Sequence, residues 1–88
     1  MSAADGLVRI AELSRRVGVG ADRLRAWERR YGLLRPVRTP GGFRLYSPAD
    51  EQRVRDMQEQ LARGLSAAQA AEAVLAARRP AAPSAPLG

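Results

Sequence analysis

The sequence predicts a small, mainly α-helical domain of about four helices, with a two-stranded β-hairpin between the second and third helices. Apolar residues recur at helical spacing in several segments, which glycines or capping motifs separate from one another. At 39–46 a Thr-Pro-Gly-Gly turn precedes a short alternating strand pattern. We expect residues 7–79 to form this domain, residues 1–6 to be a flexible N-terminus, and residues 80–88 to be a linker rich in proline and alanine.

The first two helices are predicted from glycine positions and from the spacing of apolar side chains. A short first helix is expected from Val8 until Gly18, with further apolar residues at Ile10, Leu13 and Val17. Residues 18–20 fit a tight turn, in which Gly20 is a tolerated N-cap for a second helix over 21–31. That helix is expected to pack through Leu24, Trp27 and Tyr31 and to carry on its opposite arc Asp22, Arg25, Ala26, Arg29 and Arg30.

The rest of the chain alternates turn and capping signals with helical segments. Residues 35–46 are typical of a β-hairpin with arginine in each arm. Ser47 and Pro48 are typical of a helix start, and the third helix is expected to pack through Val54, Met57 and Leu61. A second capping box at 66–69 predicts an alanine-rich fourth helix, which Arg78, Arg79 and Pro80 end.

The composition favours binding over catalysis. All fifteen basic residues are arginine and the net charge is +6, and arginine grips phosphate or the edge of guanine with two hydrogen bonds. The chain has no cysteine and no histidine, which removes thiol chemistry, a transition-metal site and a histidine base. We therefore expect no enzyme activity and no cofactor in this chain. With no long apolar run and no signal peptide, we expect a cytoplasmic, nucleoid-associated protein that binds no membrane.

The positions of the arginines carry more information than their number, because a GC-rich genome would also favour arginine over lysine. They concentrate between Arg15 and Arg44, in a segment predicted to form a helix, a tight turn, a second helix and a hairpin. A helix-turn-helix places its second helix in the major groove, and a flanking hairpin reaches the neighbouring backbone or minor groove. Such proteins approach base edges with the start of that helix, which here carries Ala21, Asp22 and Arg25. The pattern predicts sequence-specific binding of double-stranded DNA.

Four segments resemble the N-terminal domain of the MerR family of bacterial transcription regulators, and within it the cobalamin-dependent, light-responsive repressors of the CarH/LitR-like subgroup. The segments are Ile10-Ala11-Glu12-Leu13, the run from Leu24 to Gly32, the run from Pro36 to Gly42, and Arg44-Leu45-Tyr46-Ser47. The resemblance spans Leu7 to about Leu75. Two positions depart from it: Ala26-Trp27 stands where many members have a tyrosine pair, and Phe43 stands where many cobalamin-type members have histidine.

The resemblance implies a MerR-like winged helix-turn-helix fold in which 21–31 is the recognition helix and 35–46 is the wing. It implies DNA contacts from arginines of both elements, namely Arg25, Arg29 and Arg30 on the helix and Arg38 and Arg44 in the wing. Gly42 at the wing turn joins this set, and Arg15 and Arg16 on the first helix are candidate backbone contacts. Together with Ala21 and Asp22, these residues form the candidate DNA-binding set.

Other charged side chains have structural interpretations. Glu28 is expected to be an intrahelical partner that holds Arg25 and Arg29 in place. On the third helix, arginines alternate with acids in a pattern that is typical of a solvated face; these are Arg53, Arg55 and Arg63. We therefore leave the third helix out of the candidate DNA-binding set.

The expected partner is promoter or operator DNA, with RNA polymerase as a further candidate. Regulators of this family dimerise through a long helix after this domain and sense a signal in a C-terminal effector domain. We therefore expect an excised domain, a homodimer or higher oligomer only in the full-length protein, and cobalamin only in a C-terminal domain outside this chain. The alternatives are a protein–protein interaction module whose basic face meets an acidic partner, an RNA-binding domain and a small enzyme.

Overall fold

The structure, a computed structural model, describes residues 6–78. Within this range the chain forms four helices and a two-stranded antiparallel hairpin, in the order α1 (Ile10–Val17), α2 (Ala21–Tyr31), β1 (Val37–Arg38), β2 (Arg44–Leu45), α3 (Pro48–Ala62) and α4 (Ala67–Arg78). This order confirms the predicted fold class. The expected linker over 80–88 lies outside the described residues, as does Arg79, and of the expected flexible start over 1–6 only Gly6 is described.

Helix α1 is shorter than the sequence predicts, because Val8 does not belong to it. The backbone of Val8 forms an antiparallel bridge with Tyr46, and the two N–O distances are 2.9 and 2.7 Å. Arg9 is extended and takes the N-cap position, so the helix begins at Ile10. Apolar spacing could not show whether Val8 belongs to the helix or to an extended segment before it, since an apolar residue packs on the core in both cases. The segment before α1 therefore lies beside the hairpin.

The turn between α1 and α2 follows the prediction. Gly18 has a φ of 71°, a conformation that L side chains rarely adopt, and its N–H donates to the carbonyl of Ser14 at 2.8 Å. Val19 is buried in the turn, and the Ser14 hydroxyl donates to its carbonyl at 2.6 Å. Gly20 is the N-cap of α2, as expected. The turn thus fixes how α2 leaves α1.

The core forms where α1, α2, α3, α4 and the end of the hairpin meet. Leu24 and Trp27 are buried and Tyr31 packs partly buried against them, which confirms the predicted packing face of α2. The buried apolar residues are Leu13, Val17, Val19, Leu24, Trp27, Leu33, Leu34, Tyr46, Val54, Met57, Ala70, Ala71 and Val74. Because Leu24 and Trp27 hold one face of α2 inward, the opposite face is left for solvent.

The hairpin that the sequence predicts is present, with short strands and a tight end. Val37 pairs with Leu45 and Arg38 pairs with Arg44. At the turn, the N–H of Thr39 donates to the carbonyl of Phe43 at 2.9 Å, and the N–H of Phe43 donates to the hydroxyl of Thr39 at 3.1 Å. These bonds close the turn that 39–42 predicts.

Asp50 is a fully buried carboxylate that ties the wing to α3. It accepts hydrogen bonds from the N–H of Arg35 at 2.9 Å and from the N–H of Ser47 at 3.0 Å, and it forms an ion pair with Arg53. Arg53 in turn donates from Nε to the carbonyl of Leu33 at 2.8 Å. Placing Arg53 on a solvated face was therefore wrong, because the side chain is only 17% exposed and reaches across to the chain that follows α2.

Both predicted helix caps of the second half are present. Ser47 and Asp50 form a capping box at the start of α3, with Pro48 in the first turn. At the start of α4, the N–H of Gln69 donates to the Ser66 hydroxyl and its side chain accepts from the N–H of Ser66, both at 3.1 Å. Across residues 6–78 no helix is both long enough and apolar enough to cross a membrane.

Candidate nucleic-acid interface

Positive charge is concentrated on the first half of the domain. The segment 7–46, which holds α1, α2 and the hairpin, contains ten arginines and three acidic residues, whereas the segment 47–78 contains four arginines and five acidic residues. The helix-turn-helix and the wing therefore carry the cationic surface, and α3 and α4 are close to neutral. A polyanion is attracted to the first half of the fold.

The recognition helix exposes the arc that lies opposite Leu24 and Trp27. Arg25 and Arg29, one turn apart, are exposed on this arc, and Asp22 before them is fully exposed. The Arg25 guanidinium donates to the Asp22 carboxylate at 3.1 Å. Within the part of the chain that the structure describes, Arg29 forms no ion pair. Ala21, at the first position of α2, is partly buried.

Arg30 does not share the exposed arc with Arg25. It lies on the flank of α2 that faces the start of α4, where it lines a shallow surface pocket with Arg23, Tyr31 and Ala67. One hundred degrees per residue already places Arg30 well away from Arg25 around the helix. The structure thus divides the predicted arginines of α2 between two sides, and Arg30 is on the side away from the wing.

The wing carries its two predicted arginines directly across from each other. Arg38 on β1 and Arg44 on β2 are paired in register and both are exposed. Gly42 has a φ of 89° in the turn between them, which favours glycine at that position. A Cβ at Gly42 would meet no neighbouring atom within 4 Å, so its surface is open to close approach.

Glu28 has a different role from the one its sequence neighbours suggest. Its carboxylate accepts from the Tyr46 hydroxyl at 2.8 Å and from the Arg44 guanidinium at 3.4 Å, so it connects α2 with β2. The expectation of an intrahelical partner for Arg25 and Arg29 was wrong. Helical spacing predicts only partners on the same helix, so it cannot predict a hydrogen-bond partner that lies on the hairpin. Glu28 fixes the wing relative to the recognition helix.

The Tyr46 hydroxyl gives this connection a testable pH dependence. Burial, together with the hydrogen bond to Glu28, raises the pKa of Tyr46 to about 12, so the folded state holds the neutral phenol. A group whose pKa rises on folding stabilises the fold below its ordinary pKa of about 10, and that contribution is lost as the pH rises to about 12. We expect Tyr46→Phe to lower the free energy of unfolding at pH 7 by about 1 kcal/mol and to flatten its decline between pH 10 and 12.

Urea unfolding of both proteins at pH 7, 10 and 12, followed by circular dichroism, measures this effect. Tyr31→Phe is the matched control, because Tyr31 also packs against the core but has no hydrogen bond to Glu28. Equal losses for the two variants at pH 7, or an unchanged alkaline decline in Tyr46→Phe, would contradict the role given to the Tyr46 hydroxyl.

Arg15 and Arg16 lie on α1 and are engaged with carboxylates of the domain itself. Both pair with Glu12, and Arg16 also reaches Glu51 of α3 at 3.4 Å. Hydrogen bonds from Arg15 and Arg16 lower the pKa of Glu12, and a hydrogen bond from Arg55 lowers the pKa of Glu51. Arg15 is 79% exposed, so its guanidinium is accessible; Arg16 contributes to the contact between α1 and α3.

Arg9 is an exposed arginine that the sequence reasoning left out. Its guanidinium carbon lies 4.0 Å from the centre of the Phe43 ring at the wing turn. Arg9 precedes the first helix in the chain, and only the bridge between Val8 and Tyr46 brings it to the wing. In the sequence, only its charge and its position just before a helix could have indicated that Arg9 belongs to the DNA-binding set. Together with Arg9, the exposed arginines of α2 and of the wing form a continuous arginine surface.

A helix-turn-helix whose second helix and adjoining hairpin both expose arginine is the architecture of winged helix-turn-helix DNA-binding domains. Comparison with known families agrees, since the model of the MerR HTH family of regulatory proteins matches residues 8–77. The chain belongs to this family, which consists of transcription regulators and not of enzymes. It is the DNA-binding domain of such a regulator.

Individual relatives support the same assignment. The HTH-type transcriptional regulator MlrA of Escherichia coli is 42% identical over 59 residues, which cover 67% of this chain and 24% of that protein. The HTH-type transcriptional repressor CarH of Myxococcus xanthus is 40% identical over 55 residues, which cover 62% of this chain and 18% of that protein. The chain therefore spans about a quarter or less of these relatives, and the likeness to CarH agrees with the resemblance noted in the sequence.

A solved structure shows the same fold. The crystal structure of a MerR-family transcriptional regulator from Bacillus cereus superposes with a TM-score of 0.71 at 27% identity, and the match covers 78% of this chain and 52% of that one. The helices and the wing described above are thus the arrangement of a known regulator of the family.

Proposed function

We propose that this domain reads one half-site of a double-stranded operator, with α2 in the major groove and the wing on the flanking backbone or minor groove. The observation that carries the proposal is that the exposed arc of α2 and the exposed wing adjoin, and that Glu28 holds them in one orientation through Tyr46 and Arg44. A helix of this size fits the major groove of B-form DNA, whereas a hairpin fits beside it.

The residues divide into base readers and backbone contacts. Asp22 and Arg25 lie near the start of α2; Asp22 is fully exposed and Arg25 is half exposed. We assign both to contacts with base edges, since arginine recognises guanine and a carboxylate accepts a hydrogen bond from cytosine N4. Ala21, at the same end, allows close approach of the helix. Phosphate contacts are assigned to Arg29, Arg38 and Arg44, with Arg15, Arg16, Arg30 and Gly42 at the edges of the surface.

We further propose that the longer regulator is a homodimer that reads two half-sites, and that it acts on the chromosome in the cytoplasm, with RNA polymerase as a candidate partner. Two-fold symmetry raises the effective concentration of the second domain at its half-site. Cobalamin belongs to a separate effector domain if the regulator binds it. The chain contains no histidine or cysteine, so it offers neither an imidazole nor a thiolate as a metal ligand.

Selection of duplexes from a random pool, followed by fluorescence anisotropy, tests the proposal. The selected duplex is expected to bind more tightly than a scrambled duplex of equal length. With the three phosphate contacts assigned to Arg29, Arg38 and Arg44, binding of either duplex should weaken about 40-fold as salt rises from 50 to 200 mM, because each contact releases counterions. Failure to enrich any sequence, with equal and weak binding to all duplexes, would contradict the proposal and favour a basic surface for an acidic protein partner.

A further inference from the structure

A small surface pocket lies between α1, α2 and the wing, and three arginines are among the residues that line it. Arg9, Arg25 and Arg44 surround a space of about 260 Å³, and the Phe43 ring forms part of its wall. Each guanidinium comes from a different element: Arg9 from the N-cap of α1, Arg25 from α2 and Arg44 from β2. Three positively charged side chains around one small pocket attract an anion to it.

The charges of this pocket are only partly balanced within the domain. Arg25 has its partner in Asp22 and Arg44 has its partner in Glu28, whereas Arg9 pairs with no carboxylate among the described residues. The side chains of both partnered arginines stay nearly half exposed, at 49% and 44%. An anion that enters the pocket therefore meets one uncompensated cation and two accessible ones.

Arg9 is held at the pocket by two features of the backbone. Its neighbour Val8 is bonded to Tyr46 in both directions, and its own carbonyl accepts from the N–H groups of Glu12 and Leu13 at 3.0 Å. The backbone of Phe43 forms two hydrogen bonds with Thr39, and the Phe43 ring provides a face for the guanidinium at 4.0 Å. Stacking on an aromatic face leaves the N–H edges of a guanidinium free to donate.

We propose that this pocket binds one phosphodiester of duplex DNA, with Arg9 as its principal donor and Phe43 as the platform that positions Arg9. The inference rests on the proposed function and adds to it a contact residue at the N-cap of α1 and a role for Phe43. The phosphate bound here would be the one between the groove segment read by Arg25 and the segment under the wing. A phosphate contact at this place sets the register of α2 but reads no base.

Arg9→Ala tests the phosphate contact. From counterion release alone, the loss of one contact is expected to weaken binding about 15-fold at 50 mM salt and about fourfold at 200 mM salt. The loss should be equal on the selected and the scrambled duplex, and the salt slope should fall by about 1. Arg63→Ala is the matched control, since Arg63 is exposed directly after α3 and does not line the pocket. Circular dichroism melts check that each variant is folded.

Phe43 is tested in a double-mutant cycle with Arg9. Phe43→Ala alone should weaken binding about threefold at low salt by releasing Arg9, and it should have no further effect in the Arg9→Ala background. Val37→Ala is its control, because Val37 and Phe43 are equally exposed on the hairpin, at 50%. Additive losses would show that Phe43 contacts DNA by itself and would overturn its role as a platform.

The outcomes separate this inference from the function on which it rests. Unchanged affinity and salt slope in Arg9→Ala, with weakened binding in Arg25→Ala, would overturn the pocket and leave the DNA-binding function in place. Absence of duplex binding by the unmodified chain at 50 mM salt would overturn both. A loss in Arg9→Ala confined to the selected duplex would show a base contact instead of a phosphate contact.

Discussion

Replacement of Asp50 by alanine is expected to lower the free energy of unfolding by about 3 kcal/mol, the largest effect of any substitution considered for this domain. The Asp50 carboxylate is fully buried, and four groups donate to it: the N–H of Arg35, the N–H and the hydroxyl of Ser47, and the guanidinium of Arg53. The alanine variant would leave these donors unsatisfied and Arg53 without its counter-ion. A domain of this size has a total stability of about 5 to 10 kcal/mol, so much of it would be lost.

Equilibrium urea unfolding measures this difference, with Glu59→Ala as the control. Glu59 is also on α3 and also pairs with an arginine, but the pair with Arg63 is exposed, with an N–O distance of 3.5 Å. Exposed pairs contribute less than about 1 kcal/mol, so the control should be almost as stable as the unmodified chain. If Asp50→Ala and Glu59→Ala unfold at the same urea concentration, the buried carboxylate does not anchor the wing to α3.

Replacement of Arg25 by alanine is expected to weaken binding to a selected operator by about 1 to 3 kcal/mol, as for the loss of a bidentate contact to guanine. Arg25 is half exposed near the start of α2, on the arc opposite the buried Leu24 and Trp27. Its only carboxylate partner in the described chain is Asp22, which is itself fully exposed, so the guanidinium can exchange this partner for a base edge. The ratio of the affinity for the selected duplex to the affinity for a scrambled duplex should fall as well.

The comparison that decides the role of Arg25 uses both duplexes at one salt concentration. Arg29→Ala serves as the control on the same helix: as a phosphate contact, it should weaken both duplexes to the same extent and leave the preference unchanged. Equal weakening of both duplexes by Arg25→Ala would assign Arg25 to the backbone and move base reading to other residues at the start of α2.

Much of the fold could be predicted from local patterns because the relevant interactions are local. Gly18 and Gly32 take positive φ at the ends of helices, and the capping boxes at Ser47 and Ser66 satisfy N–H groups within three residues. The faces of α2 follow from the helical period alone, so the exposure of Arg25 and the burial of Trp27 were both predictable. The DNA-binding residues remain predictions, supported by exposure and by family membership.

The sequence by itself determined the order of the elements, the arginine-bearing face of the recognition helix and the family. Only the tertiary structure decided which distant groups meet: Val8 with Tyr46, Glu28 with the wing, Asp50 with Arg35, and Arg9 with Phe43. Each of these contacts joins residues far apart in the chain, and no periodic pattern or capping signal encodes such a pair. They form because the core fixes α1, α2, α3 and the hairpin in one arrangement, and a side chain then pairs with whatever polar or aromatic group that arrangement brings within reach.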